Sequence, residues 1–184
     1  MSERRIWLAR LPEMRLAYFE DALTAMLDVD SGVAADFAGM GRLFDVFNEW
    51  RLKTRPALGR IDIAALGWAL APDAGGRMPY RAAVPIRGDY RPAPPAKTVL
   101  FPGGSFLYAY ADDVDEIEDV SLAVKLALPG AGLRAVSGLL EVYKYHYNLE
   151  QHPCDCGFLV LNEDGTEPIP PATTHAAPLP IARE

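Results

Sequence analysis

Histidine and cysteine are scarce in this chain, at three and two of 184 residues. Two cysteines make no disulfide framework, and Cys154 and Cys156, separated by Asp155 alone, stand too close for an unstrained bridge. Structural zinc sites space their cysteines by two to four residues, which this pair does not, even with His146 and His152 nearby. The two are therefore expected to be reduced, structural cysteines, with neither metal nor cofactor. Also missing is any run approaching the ~20 apolar residues that span a bilayer. The start, Met1-Ser2-Glu3-Arg4-Arg5, turns amphipathic at once and carries no secretory pattern. A cytoplasmic location without membrane contact is the expectation. Basic charge is short as well: 18 Lys and Arg stand against 25 Asp and Glu, for a formal net charge of −7. Without a Lys/Arg cluster to track phosphates, nucleic-acid binding by this chain is not expected. A neutral or cationic ligand, or a basic protein partner, suits the charge better.

What is present is a globular composition, 50% hydrophobic, with an internal echo. Leu11-Pro12-Glu13-Met14-Arg15-Leu16-Ala17-Tyr18 parallels Phe101-Pro102-Gly103-Gly104-Ser105-Phe106-Leu107-Tyr108. Pro12 and Pro102, like Tyr18 and Tyr108, stand the same 90 positions apart. Downstream of the first copy, Val33, Phe37, Met40, Phe44 and Phe47 form the apolar stripe of a helix over roughly 33–52, with Asp30 or Ser31 as its cap. Downstream of the second, Ile117, Val120, Val124 and Leu128 predict a helix over about 115–128. The acidic run Asp112 to Asp119 suits the positive end of that helix and lacks the ligand spacing of a calcium loop.

Two strand-like runs follow each helix. They are Ile61 to Ala71 and Tyr80 to Ile86 in the first half, Leu139 to Tyr147 and Gly157 to Leu161 in the second. The segment Arg87 to Lys97, with three prolines, reads as the linker. The expected fold is α+β: two pseudo-symmetric strand–helix–strand–strand repeats (5–88 and 96–162) forming an antiparallel sheet with two main helices and a ligand cleft between the halves. One domain would span 1–165, and 166–184 would be a proline-rich, extended tail. The lookalike Gly130-Ala131-Gly132-Leu133-Arg134-Ala135 follows a helix where a dinucleotide fingerprint needs a strand, so a helix C-terminal turn explains it better.

The duplicated unit resembles the GyrI-like domain family. Its members include effector-binding domains of AraC- and MerR-type regulators, stand-alone relatives of the gyrase inhibitor, and some small-molecule hydrolases. The resemblance rests on Leu11-Pro12 with Tyr18, Leu66-Gly67-Trp68, Tyr80-Arg81-Ala82-Ala83-Val84, Phe101-Pro102-Gly103-Gly104-Ser105-Phe106 and Leu140-Glu141-Val142-Tyr143, over roughly 5–162. The family's short acidic loop after strand three is Ala71-Pro72-Asp73 here, and Tyr145 to Cys156 departs from its usual short link.

Glu141 is the residue that draws notice. It interrupts the run Leu139-Leu140-Glu141-Val142-Tyr143-Lys144-Tyr145, and alternation puts Leu139, Glu141, Tyr143, Tyr145 and Tyr147 on one face, with His146 on the other. A carboxylate among aromatic rings suits the floor of a pocket for a cation, and the resemblance implies that role. A stabilising or solvated glutamate is the structural alternative. Trp68, Tyr80, Tyr18 and Tyr108 join Tyr143 and Tyr145 as candidate walls, although any one aromatic is more often core. Trp7, Trp50, Phe44 and Phe47 read as packing residues. The expected function is a stand-alone binder of a hydrophobic, cationic or electrophilic small molecule. The alternatives are a hydrolase using Glu141 as general acid or base, and a gyrase-inhibitor-like module that engages a protein partner.

Overall fold

The computed structural model describes residues 5–24, 37–54, 62–71, 77–145 and 152–169. Its elements run β1 (Ile6–Leu11), β2 (Met14–Thr24), α1 (Phe37–Thr54), β3 (Ile63–Ala69), β4 (Arg77–Pro85), β5 (Lys97–Phe101), β6 (Gly104–Ala111), α2 (Ile117–Ala127), β7 (Leu133–Ala135), β8 (Leu140–Lys144) and β9 (Cys154–Asn162). The fold is α+β with antiparallel strands and two main helices, as expected. No described helix is long and apolar enough to cross a membrane.

The chain divides into two compact units. The first unit comprises 1–13, 102–141 and 147–184; the second comprises 14–101 and 142–146. Their boundaries fall beside Pro12 and Pro102, and each proline sits between two strands, β1 and β2 or β5 and β6. A proline has no N–H to give a ladder, so it ends one strand and lets the next begin in another pairing. Thus β1 pairs with β6 in the first unit, whereas β5 pairs with β2 in the second. The sequence reading did not separate β1 and β5 from the strands that follow them, because the proline turns between them are so short.

In the second unit β4 lies between β2 and β3, with β5 on the far side of β2. Val142–Lys144 of β8 run beside β3, and the Tyr145 N–H donates to the Asp62 carbonyl at 3.2 Å. Helix α1 packs on β2 and β4. It does so through rings: Phe47 meets Phe19 at 6.0 Å, and Trp50 meets Phe19 at 5.5 Å. Phe47, fully buried, is the centre of that contact. This matches the expected stripe, although the helix begins at Phe37; the proposed cap at Asp30 or Ser31 lies outside the described residues.

In the first unit the order is β1, β6, β9, with β7 on the other edge of β9. Helix α2 buries Ile117, Val120 and Val124 against β6 and β9. A short 3₁₀ turn over Val114–Glu116 leads into it, and the Asp113 carboxylate accepts from the Asp115 N–H at 2.7 Å. Glu118 and Asp119 occupy the first turn of α2. The acidic run is therefore capping and dipole chemistry. Gly132 ends the helical segment in the left-handed conformation, φ 65°, where glycine pays no side-chain penalty. The three residues after it form β7, a strand that the sequence did not announce.

Strand β9 begins at Cys154, three residues before the expected start. Cys154 and Cys156 are not joined in a disulfide and are fully buried, so they pack as small residues on one side of the strand. Strand β8 ends at Lys144, sooner than expected; Tyr145 sits in a turn and is 49% exposed. The start of the expected tail is held at Glu167 and Pro168. Ser105 Oγ donates to the Pro168 carbonyl at 2.8 Å, and Arg10 pairs with Glu167 at 2.9 Å. Residues 170–184 of the expected tail, like Asp73, His146 and Tyr147, lie outside the described residues.

Candidate functional site

Strand pairing sorts the second unit's candidates onto two faces. Phe19 and Tyr80 meet rings of α1, so the α1 side of β2 and β4 carries Ala17, Phe19, Tyr80 and Ala82. The opposite side carries Tyr18, Glu20 and Arg81, since Glu20 pairs with Arg81 and Tyr18 with Ala83. On β3, Trp68 stands opposite Arg81 and shares that side.

On the side away from α1, Arg81 is the hub. Its guanidinium lies 4.5 Å from the Tyr18 ring centroid and 5.2 Å from that of Trp68. Its Nε donates to the Glu20 carboxylate at 2.6 Å. The side chains of Arg81 and Glu20 are 17% and 25% exposed. Trp68 in turn meets the buried Phe101 edge to face, with centroids 5.4 Å apart. Both tyrosine and tryptophan walls expected for a cation therefore already face a positive charge from the chain itself. Neither Arg81 nor Glu20 was singled out from the sequence. The available signal was alternation along Tyr80-Arg81-Ala82, which places Arg81 on the face opposite Tyr80.

On the α1 side, Tyr80 and Tyr143 are joined through one ring. Phe44 lies 6.3 Å from Tyr80 and 5.6 Å from Tyr143, both edge to face. Tyr80 is fully buried and Tyr143 is 8% exposed. Phe44, expected only to pack, is the link between two candidate walls.

The first unit holds Glu141 and Tyr108. Glu141 is 1% exposed, between Leu140 at 0% and Val142 at 1%. Alternation along β8 leaves it on the same side of the strand as Tyr143. Cys156 donates its thiol to the Ile117 carbonyl at 3.7 Å, which marks the α2 side of β9 and, through register, of Ala109 on β6. Tyr108 and Asp155 therefore lie on the side away from α2. Tyr108 stacks on Phe106, centroids 5.1 Å apart and planes 9° from parallel. Burial, helped by the nearby Asp155 carboxylate, pushes the Tyr108 phenol up to about 12.

Of the seven predicted residues, then, Tyr18 and Trp68 come together around Arg81, and Tyr80 and Tyr143 come together around Phe44. The two pairs occupy opposite sides of the second unit's strands. Glu141 and Tyr108 belong to the first unit, and Tyr145 sits in the turn after β8.

No family profile matches the chain, and no curated protein does either. Solved structures do. The C-terminal domain of EcmrR superposes with a TM-score of 0.60 at 10% identity, over 86% of this chain and 98% of that one. EcmrR in a complex with DNA gives 0.63 at 10% identity, over 86% of this chain but only 57% of the EcmrR chain. SAV2435 bound to tetraphenylphosphonium gives 0.58 at 14% identity, over 85% of this chain and 93% of that one. At such identities the likeness establishes a shared fold.

Proposed function

We propose that this chain is a small-molecule-binding protein of the GyrI-like kind, with Glu141 as the carboxylate that recognises a hydrophobic cation or electrophile. The observation that carries the reading is the burial of Glu141 at 1% exposure inside a strand of apolar and aromatic neighbours. Taking a carboxylate out of water costs several kcal/mol, and burial of such a group is a poor way to gain stability. A group kept there at that cost is a candidate for recognition. Leu140 and Val142, at 0% and 1% exposure, enclose it along the strand. Support comes from the fold shared with SAV2435, solved bound to tetraphenylphosphonium, a lipophilic cation, and with the C-terminal domain of EcmrR. The role would be sensing, sequestration or xenobiotic resistance, in the cytoplasm.

The test is thermal shift with a panel of lipophilic cations and strained electrophiles, with ligand recovery followed by mass spectrometry. A shift of several degrees with ligand recovered intact, lost in Glu141→Gln, is the expected result. Conversion to a hydrated product, abolished in the same variant, would make the protein a hydrolase with Glu141 as general acid or base. No shift and no product with any compound would sink the binding reading and favour a partner-binding module.

A further inference from the structure

From β4, the Arg81 side chain reaches Glu20 and Tyr18 on β2 and Trp68 on β3. A guanidinium has five N–H donors in a planar fork. Here Nε is taken by Glu20 at 2.6 Å, and the terminal nitrogens donate to no described residue. The side chain is only 17% exposed. Charged donors that far out of water are seldom left to fend for themselves. The Tyr18 and Trp68 rings, at 4.5 and 5.2 Å, fix the guanidinium in place, and Glu20 fixes its rotation. Little side-chain entropy is left to lose when a ligand arrives.

We propose that the Tyr18–Arg81–Trp68 stack is a recognition site for a small aromatic carboxylate. The carboxylate accepts two parallel hydrogen bonds from the open edge of the guanidinium, the geometry that arginine matches best. The ligand's ring lies against Trp68, which is part exposed and braced by Phe101. Glu20 neutralises the arginine, so the site selects by directed hydrogen bonds and stacking more than by net charge. The same arrangement disfavours a lipophilic cation here, because both rings already face a positive charge. This site goes beyond the Glu141 reading and does not depend on it.

The experiment is an NMR or calorimetric titration of the full chain with 2-naphthoate and with its neutral analogue 2-naphthamide. Wild type is expected to bind the carboxylate about tenfold or more tightly than the amide, as a charge-assisted pair requires. Arg81→Met should abolish that preference. Glu20→Gln, which leaves the guanidinium in place and removes its competing carboxylate, should strengthen naphthoate binding several-fold. It decides the matter if Arg81→Met fails to fold. Equal affinity for the two compounds in wild type, a preference that survives Arg81→Met, or no gain in Glu20→Gln would overturn the proposal. Glu141→Gln should leave naphthoate binding unchanged while removing the response to lipophilic cations, so the two sites fail or stand separately.

Discussion

Tyr18 and Tyr108 occupy matching places in the two repeats, and their surroundings have opposite electrical character. In the second unit the Tyr18 ring is capped by the Arg81 guanidinium at 4.5 Å. In the first unit Tyr108 stacks on Phe106 and has the Asp155 carboxylate nearby. The strand partners differ too. Tyr18 pairs with Ala83, which is fully buried, and Tyr108 pairs with Gly157. A Cβ on Gly157 would fall 2.0 Å from the Leu107 carbonyl oxygen and 2.7 Å from the Tyr108 Cα. The helices follow the same divide: α1 packs through aromatic rings, α2 through Ile117, Val120 and Val124. A repeated succession of elements thus carries two different chemistries. The second unit holds an arginine between two aromatic rings, and the first brings two strand backbones together at Gly157 too closely for a side chain.

The largest effect should come from removing that tightness. Gly157→Ala must push β6 and β9 apart, because the clash is with backbone that cannot rotate away. A loss of about 3 kcal/mol is expected, or roughly 10 °C in melting temperature by calorimetry. Ala83→Gly, at the matching position beside Tyr18, creates only a small void and should cost about 1 kcal/mol. Equal losses at the two sites would erase the contrast.

A smaller effect is expected on the Tyr18 side. Arg81→Met removes two ring contacts and leaves Glu20 without its counter-charge. Denaturant unfolding should report a loss of about 1–2 kcal/mol, lessened by the partial exposure of the pair. The smallest effect distinguishes Tyr108 by pH. Its phenol is raised to about 12, whereas an unfolded tyrosine ionises near 10. The stabilising contribution is complete below about pH 10 and declines as pH rises through about 12, where the folded phenol also ionises. Tyr108→Phe should flatten that part of the stability profile, which urea midpoints at pH 9 and 11 would show.

Much of the architecture was legible because its signals are local. Apolar stripes at three- and four-residue spacing announced α1 and α2, and the acidic residues before α2 declared its start. Strands β3, β4, β8 and β9 followed from β-branched and aromatic runs, with ends misplaced where buried cysteines or an exposed tyrosine disguised polarity. Strands β1 and β5 were missed because a two-residue proline turn does not interrupt hydropathy, and β7 because three residues carry no period. The candidate rings were recognisable, but their grouping was not. Whether Tyr18 meets Trp68 or Tyr80 depends on the register of three strands brought together from distant parts of the chain. Arg81 was hidden for the same reason: its partners lie 61 and 63 positions away at Glu20 and Tyr18, and 13 away at Trp68. Glu141 stood out because one carboxylate inside an apolar run needs no tertiary knowledge to be noticed.

Glu141 is the residue on which the proposed ligand recognition depends. Native mass spectrometry of the full chain with tetraphenylphosphonium tests it most directly. A one-to-one complex of intact ligand, present in wild type and absent in a folded Glu141→Gln variant, is the predicted result. A complex of equal abundance in both proteins would show that the buried carboxylate takes no part in recognition and would contradict the account.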